Sequence, residues 1–425
     1  MAAGTDRSTG ETRPPHLTRP ARAVGPTRRV RLLRTGALVA AAVVSTVFVG
    51  PATAVPATGV HAEGVQAAED TRAAHTATRR ALEAAVEQGV PGAVATVRDG
   101  SGGWSGDAGV ADRTTGRERG AQDRYRVGSI TKTFVATVLL QLEAEGRLSL
   151  DDTVDSWLPG VVSGHGHDGR TITVRQLLNH TSGIFSYTSD REFAERIFGD
   201  GFLEHRYETW RPLELVKIAM GHQPDFAAGT SWRYSNTNYV LAGMVVEKVT
   251  GRSYGTEIER RILRPLNLRA TSVPGTDVTV PRPSGRAYST LESGDGAEPD
   301  VKIHDVTELN PTIAGAAGAM ISNSVDLNRF YSALLAGELL PAKQFEEMTD
   351  TVATGDQGPA GQRYGLGLIQ QRTACGKEVW GHSGGIHGST SIAVTTRDGR
   401  HSIALNFNAD WTGNAGKVVD AEFCG

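Results

Sequence analysis

Apolar and polar positions alternate along this chain in two rhythms, one helical and one extended. Residues 71–88 place apolar side chains three and four apart among charged ones, which predicts an amphipathic helix. Two short β-type runs follow at 93–98 and 102–111. Over residues 129–146, Ile130, Phe134, Val135, Val138, Leu139 and Leu142 recur at helical spacing, and Gly146 is a natural stop. Shorter helices are expected at 174–178, 212–220, 238–250 and 254–263, and residues 275–312 read as loop. After Ala319 the character changes. Helices at 324–335 and 341–348 precede β-rich runs at 365–371, 378–382 and 390–396. A fourth run, 402–408, follows the turn Arg397-Asp398-Gly399-Arg400 and closes a hairpin.

Strands near both ends with helices between them predict an α/β protein. Its antiparallel β-sheet, flanked by helices, is built from N- and C-terminal segments, with a mainly helical domain inserted. Residues 63–128 and 320–425 would form the two parts of the α/β domain, and residues 129–319 the helical one. No internal repeat is visible.

Charge separates the first 62 residues from the rest. They hold eight arginines against Asp6 and Glu11, while the remainder carries 36 basic and 45 acidic side chains. Arg28, Arg29, Arg31 and Arg34 precede an apolar run over 37–49 and then Pro51-Ala52-Thr53-Ala54. That order is a secretory signal, with cleavage expected after Ala54 or Ala62 and a secreted product. The run is about 13 residues against the roughly 20 of a spanning helix, so no stable membrane anchor is expected. A mildly acidic body without a basic stripe argues against nucleic acid as a partner. The two cysteines, Cys375 and Cys424, would form a disulfide in an oxidising compartment or remain two separate buried thiols.

Three short elements carry candidate chemistry. In Ser129-Ile130-Thr131-Lys132 a helix sets the lysine on the face of the serine, where its amine reaches the hydroxyl. The amine serves as a base only where desolvation or nearby positive charge lowers its pKa. In Tyr234-Ser235-Asn236 a tyrosine beside a lysine can be held partly as phenolate and pass protons, while the amide of Asn236 positions a carbonyl or the lysine. In His382-Ser383-Gly384-Gly385 a glycine pair lets substrate lie along a strand edge. There the Gly385 and Ser129 N–H groups could form an oxyanion hole, and Ser383 could bond a substrate carboxylate. Each element alone also has a plain structural reading. Together they follow the order Ser-x-x-Lys helix, polar triplet and glycine-bearing strand.

On these residues the chain resembles the serine β-lactamase and D-Ala-D-Ala carboxypeptidase superfamily, in its class C and carboxypeptidase branch. The resemblance runs through YRVGSITKTF (125–134), VRQLLNHTSGI (174–184), WRYSNTNYVLA (232–242), ISNSVDLNRF (321–330) and WGHSGGIHG (380–388). It implies Ser129 as nucleophile, Lys132 as its partner, Tyr234 as proton relay, Asn236 as positioner and Gly385 as second oxyanion donor. His382 stands where class C β-lactamases have lysine, and is similar to secreted carboxypeptidases and related amidases and esterases. Cys375 and Cys424 resemble the paired cysteines of such carboxypeptidases. Those enzymes grip the substrate's terminal carboxylate with an arginine on the same sheet, for which Arg372 is the nearest candidate. The expectation is therefore a secreted, monomeric, cofactor-independent serine hydrolase that removes the terminal D-alanine from D-Ala-D-Ala peptides, peptidoglycan among them. β-Lactams would acylate the same serine. Esterase, D-amino-acid amidase, class C β-lactamase and a penicillin sensor acylated without turnover are the alternatives.

Two patterns compete and lose. Gly381-His382-Ser383-Gly384-Gly385 and Gly251-Arg252-Ser253-Tyr254-Gly255 match a nucleophile elbow, but neither joins a strand to a helix with an acid and a histidine following. His165-Gly166-His167-Asp168 lacks the further ligands of a zinc site.

Overall fold

The computed structural model describes residues 75–199, 201–291 and 302–425, so the expected signal over 1–62 lies outside the described residues. Nine strands form one sheet: β1 (Gly92–Asp99), β2 (Gly102–Asp112), β3 (Arg117–Glu118), β4 (Val352–Ala353), β5 (Arg363–Tyr364), β6 (Ile369–Arg372), β7 (Glu378–Ile386), β8 (Ser389–Thr395) and β9 (Ser402–Phe407). Their order is β4-β5-β6-β7-β8-β9-β1-β2-β3, and every neighbouring pair is antiparallel. N-terminal strands thus dock beside the last strand of the chain, as the terminal placement of β-type runs requires.

The two-residue period of the strands divides the core between the faces of the sheet. Ala93, Ala95, Val97, Ile403, Leu405 and Phe407 join one cluster, with Leu82, Val418 and Phe423 from two helices, α1 (Thr76–Glu87) and α5 (Ala415–Cys424). Val94, Ala393 and Ala404 belong to a larger cluster that runs into the helices between residues 131 and 349. The helical part therefore shares its core with the sheet. Helix α2 (Thr131–Ala144) lies at its centre, and all its residues from Thr131 to Leu140 are buried. Phe134 stacks on Phe330 of α4 (Ser324–Leu335), with ring centroids 3.7 Å apart. That contact anchors the helix that follows Ser129.

Several expected elements shift. The strand expected over 365–371 begins only at Ile369, because Gly367 has φ 69° and turns the chain onto α2. A Cβ there would stand 2.7 Å from that of Ala136 and 3.0 Å from the Lys132 carbonyl oxygen, so only glycine fits. Strand β7 runs four residues past His382 to Ile386, because glycines that read as a turn stay extended and paired with β8. The helix expected over 254–263 is α-helical to Ile258 and then a π-helix, Glu259–Leu263. Helix α5 was not anticipated, although Asn414 caps it and Val418, Val419, Glu422 and Phe423 share its inner face. No described helix is long and apolar enough to cross a membrane.

Candidate active site

The site begins where β7 meets the turn before α2. Residues Gly128–Ile130 form a 3₁₀ turn leading into α2, which leaves Ser129 partly exposed while Lys132 is fully buried one turn on. Gly128 has φ 52°, and a Cβ on it would lie 2.8 Å from the Gly385 nitrogen. A Cβ on Gly384 would collide with the Val127 carbonyl and reach within 3.0 Å of the Ser129 nitrogen. Bare backbone on both sides brings the Ser129 and Gly385 amides together. Strand β6 pairs with β7 only from Glu378 to Gly381, so beyond that point one edge of β7 has no partner strand among the described residues.

The Lys132 amine has three partners: Ser129 Oγ at 2.9 Å, Asn236 Oδ1 at 2.8 Å and the Ala317 carbonyl at 2.7 Å. Asn236 opens helix α3 (Asn236–Thr250), and its amide is oriented from behind, since Nδ2 donates to Thr188 Oγ1 at 3.1 Å. The Thr188 hydroxyl in turn bonds Ser186 Oγ at 2.8 Å. Among the described residues no carboxylate is a partner of Lys132. Burial therefore drives its pKa well below the ordinary 10.5, which favours the neutral amine. A neutral amine has two N–H groups and one lone pair. Ala317 O and Asn236 Oδ1 can only accept, so they take both N–H groups. The lone pair is left for the Ser129 hydroxyl proton.

Two rings cover the amine, Tyr234 with its centroid at 4.8 Å and Tyr239 at 5.5 Å. Burial pushes the Tyr234 phenol above its ordinary 10.0, against the lowering effect of its hydrogen bond with Ser129. Burial thus favours the phenol over the phenolate that the sequence suggested.

His382 differs more. Its Nδ1 bonds the Ser383 carbonyl, which can only accept, so Nδ1 carries the proton and Nε2 accepts from the Tyr364 hydroxyl at 2.8 Å. Burial pushes its pKa down to about 3. The residue in the lactamase-lysine position is therefore neutral, and it makes no hydrogen bond to Ser129 or Lys132. It holds β7 in place rather than offering a charge. Ser383 is exposed at the open stretch of β7, and its hydroxyl has no partner among the described residues.

Arg372 is not brought to the site. It is exposed and pairs across the β6–β7 ladder with Glu378, which lies four residues before His382, about 13 Å along the strand at 3.3 Å per residue. Among the described residues no arginine side chain donates a hydrogen bond to Ser129, Tyr234, Asn236 or His382, and Arg233, beside Tyr234, is paired with Asp225 at 3.0 Å. Cys375 and Cys424 are joined as a disulfide, tying α5 to the β6–β7 connection. His165–Asp168 forms part of a small two-stranded ribbon and gathers no further ligands among the described residues.

The sequence did not single out Ala317, Thr188, Tyr364 or His180. His180 lies in the resembling stretch 174–184 and carries a sign of its own, a φ of 62°. Its Nδ1 accepts from the Ser235 N–H at 3.2 Å and from Asn238 Nδ2 at 3.1 Å, which leaves Nε2–H buried without a partner against the Tyr234 ring. The others sit 18 to 185 residues from their partners in the site, a separation that leaves no local pattern.

Known proteins share this fold. The structure of a D-stereospecific amidohydrolase from Streptomyces sp. is 62% identical, covers 83% of this chain and 99% of its own, and superposes with a TM-score of 0.78. The D-amino acid amidase of Ochrobactrum anthropi SV3, solved with L-phenylalanine amide, is 28% identical over 82% of this chain and 98% of its own, with a TM-score of 0.70. Among curated proteins, penicillin-binding protein 4* of Bacillus subtilis (strain 168) is 28% identical over 306 residues, or 71% of this chain. The chain spans 64% of that relative's length. The family model described as Beta-lactamase matches residues 73–419, so the chain belongs to the beta-lactamase family and is a serine hydrolase of that family.

Proposed function

We propose that this protein hydrolyses amides of D-amino acids through an acyl-enzyme on Ser129. The observation that supports the chemistry is the buried Lys132 amine, held by the Ala317 carbonyl and Asn236 Oδ1 and 2.9 Å from Ser129 Oγ, where its lowered pKa suits it to act as the base. Lys132 takes the serine proton as Oγ attacks the substrate carbonyl, and the Ser129 and Gly385 amides hold the developing oxyanion. The departing nitrogen needs a proton. Tyr234 supplies it and recovers one from the lysine, so no net charge accumulates. Water then attacks the ester with Lys132 again as base.

Two observations favour an amide over a peptide ending in a free carboxylate. Holding a carboxylate in a desolvated cleft needs a cation, yet burial disfavours the charged forms of both Lys132 and His382, and Arg372 lies elsewhere. The similarity to a D-stereospecific amidohydrolase, at 62% identity over nearly its whole chain, points the same way. Removal of D-alanine from D-Ala-D-Ala peptides is the second reading, favoured by the likeness to penicillin-binding protein 4* and by the unpartnered Ser383 hydroxyl. Export through the first 62 residues belongs to the same proposal and is supported by the disulfide.

The test compares ammonia release from D- and L-phenylalanine amide with D-alanine release from a D-Ala-D-Ala peptide. The D-amide is expected to react fastest, by about 100-fold over the L-amide, since a site built around one configuration leaves polar groups unpaired with the other. Faster release of D-alanine would replace the amidase reading by the carboxypeptidase one.

A further inference from the structure

Tyr234 lies on irregular backbone just before α3, so neither a helix nor a strand fixes the direction of its side chain. The bonds that hold this stretch come from His180, which follows the short helix Val174–Leu178. The His180 carbonyl accepts from the Arg233 N–H at 3.1 Å, and its Nδ1 accepts from the Ser235 N–H at 3.2 Å. One residue thus holds the amides on both sides of Tyr234. His180 does so with a φ of 62°, a left-handed conformation that costs energy outside glycine.

The imidazole is fully buried, with its centroid 4.3 Å from the Tyr234 ring and 4.8 Å from that of Tyr364. Asn238 Nδ2 stands 3.1 Å from the same Nδ1, and Asn238 Oδ1 accepts from the Ser182 hydroxyl at 2.7 Å, so the ring is itself oriented from behind. Both donors to Nδ1 bring their own hydrogen, which places the ring proton on Nε2. Nε2 has no hydrogen-bond partner among the described residues, so no chain of hydrogen bonds passes a proton through the ring. What His180 contributes is position. On the other side, the Tyr234 ring lies 4.8 Å from the Lys132 amine, and its hydroxyl bonds Ser129.

We propose that His180 is the positioning residue for Tyr234, a clamp on the backbone that aims the phenol at the departing nitrogen. The proposal rests on the proton-donor role of Tyr234 given above. A phenol displaced by about 1 Å loses on the order of 100-fold in rate at most, because the proton must be delivered as the bond breaks.

Leucine and asparagine both branch at Cγ as imidazole does, but only asparagine keeps an acceptor at the δ position. His180→Leu is expected to lower kcat on D-phenylalanine amide about 30-fold with KM unchanged, and His180→Asn to restore it to within about threefold of wild type. On the p-nitrophenyl ester of D-phenylalanine the leaving group departs without a proton. There kcat/KM of His180→Leu should stay within about threefold of wild type. Adding His180→Leu to Tyr234→Phe should cost no more than about twofold further on the amide, since the hydroxyl that His180 aims is already gone. Should His180→Leu fail to fold, Asn238→Ala, which removes the second donor to Nδ1, carries the same cycle with about a fivefold loss on the amide. Equal losses on amide and ester, losses that multiply in the double variant, or no rescue by asparagine would each overturn the proposal. Failure of the amidase reading would instead appear as wild-type protein that leaves the amide intact. The cycle is then read on a D-Ala-D-Ala peptide, whose leaving amine also needs a proton.

Discussion

Two ionisable groups lie almost completely buried on opposite faces of the sheet, and they end in opposite states. Lys132 has only neutral acceptors and one hydroxyl around it, and burial alone decides its protonation. Glu422, in α5, is 2% exposed and receives donors from three sides: Thr78 Oγ1 at 2.7 Å, His401 Nε2 at 2.7 Å and His75 Nδ1 at 3.0 Å. Burial pushes Glu422 up, but the hydrogen bonds from His401, Thr78 and His75 outweigh it and hold the carboxyl below its ordinary 4.5. The first group is left with an unused lone pair beside a nucleophile. The second has its charge matched and serves to tie the N-terminal helix to the C-terminal one. Depth does not distinguish a reactive group from a structural one. The partners do.

Removing the lone pair should cost most. Lys132→Ala is expected to lower kcat on the amide about 10⁴-fold, and Lys132→Arg should not rescue it, because a guanidinium cannot act as a base. Rescue by arginine would mean that the side chain acts as a cation. Tyr234→Phe should lower kcat about 100-fold with little change in KM, since the lost proton donor matters only as the leaving group departs. An unchanged kcat would remove Tyr234 from the proton path.

On the other face the losses should fall on stability alone. Glu422→Ala is expected to destabilise the fold by about 3 kcal/mol in a denaturant titration, with kcat per folded molecule intact. The sign of its pH dependence follows from the lowered carboxyl. Its stabilisation is fully present above about pH 4.5 and is lost as the pH falls through the native-state pKa. The stability gap between wild type and Glu422→Gln should therefore narrow on acidification, and a gap that widened would contradict the ion-pair account. The smallest effect belongs to Thr188→Val, which frees the Asn236 amide to rotate. About a tenfold loss in kcat is expected, and Thr188→Ser should restore it. Equal loss in both variants would place the effect in packing rather than in the hydrogen bond.

The sequence made one half of this comparison legible and left the other hidden. The Ser129–Lys132 spacing, the run of apolar residues that buries α2, and Asn236 at the head of α3 are local features, and each survives in the structure. Ala317 offers only a backbone carbonyl, which no side-chain pattern reveals. Tyr364 meets His382 across 18 residues, and with that contact His382 becomes a neutral strut rather than a substitute cation. Arg372 was legible as a residue but not as a position, because its distance from the site depends on the β6–β7 register. Glu422 went unnoticed for a similar reason: its partners His75 and Thr78 lie 347 and 344 residues away.

The central claim is that Lys132 rests as a neutral amine with its lone pair toward Ser129. It is tested most directly by following the ε-carbon resonance of Lys132 in lysine-labelled protein through a pH titration, assigned with Lys132→Arg. The account predicts a resonance that remains in the neutral-amine position near neutral pH and moves to the ammonium position only on acidification, with kcat/KM falling over the same pH interval. A resonance that stays in the ammonium position until about pH 10, the range of a free lysine, would contradict it.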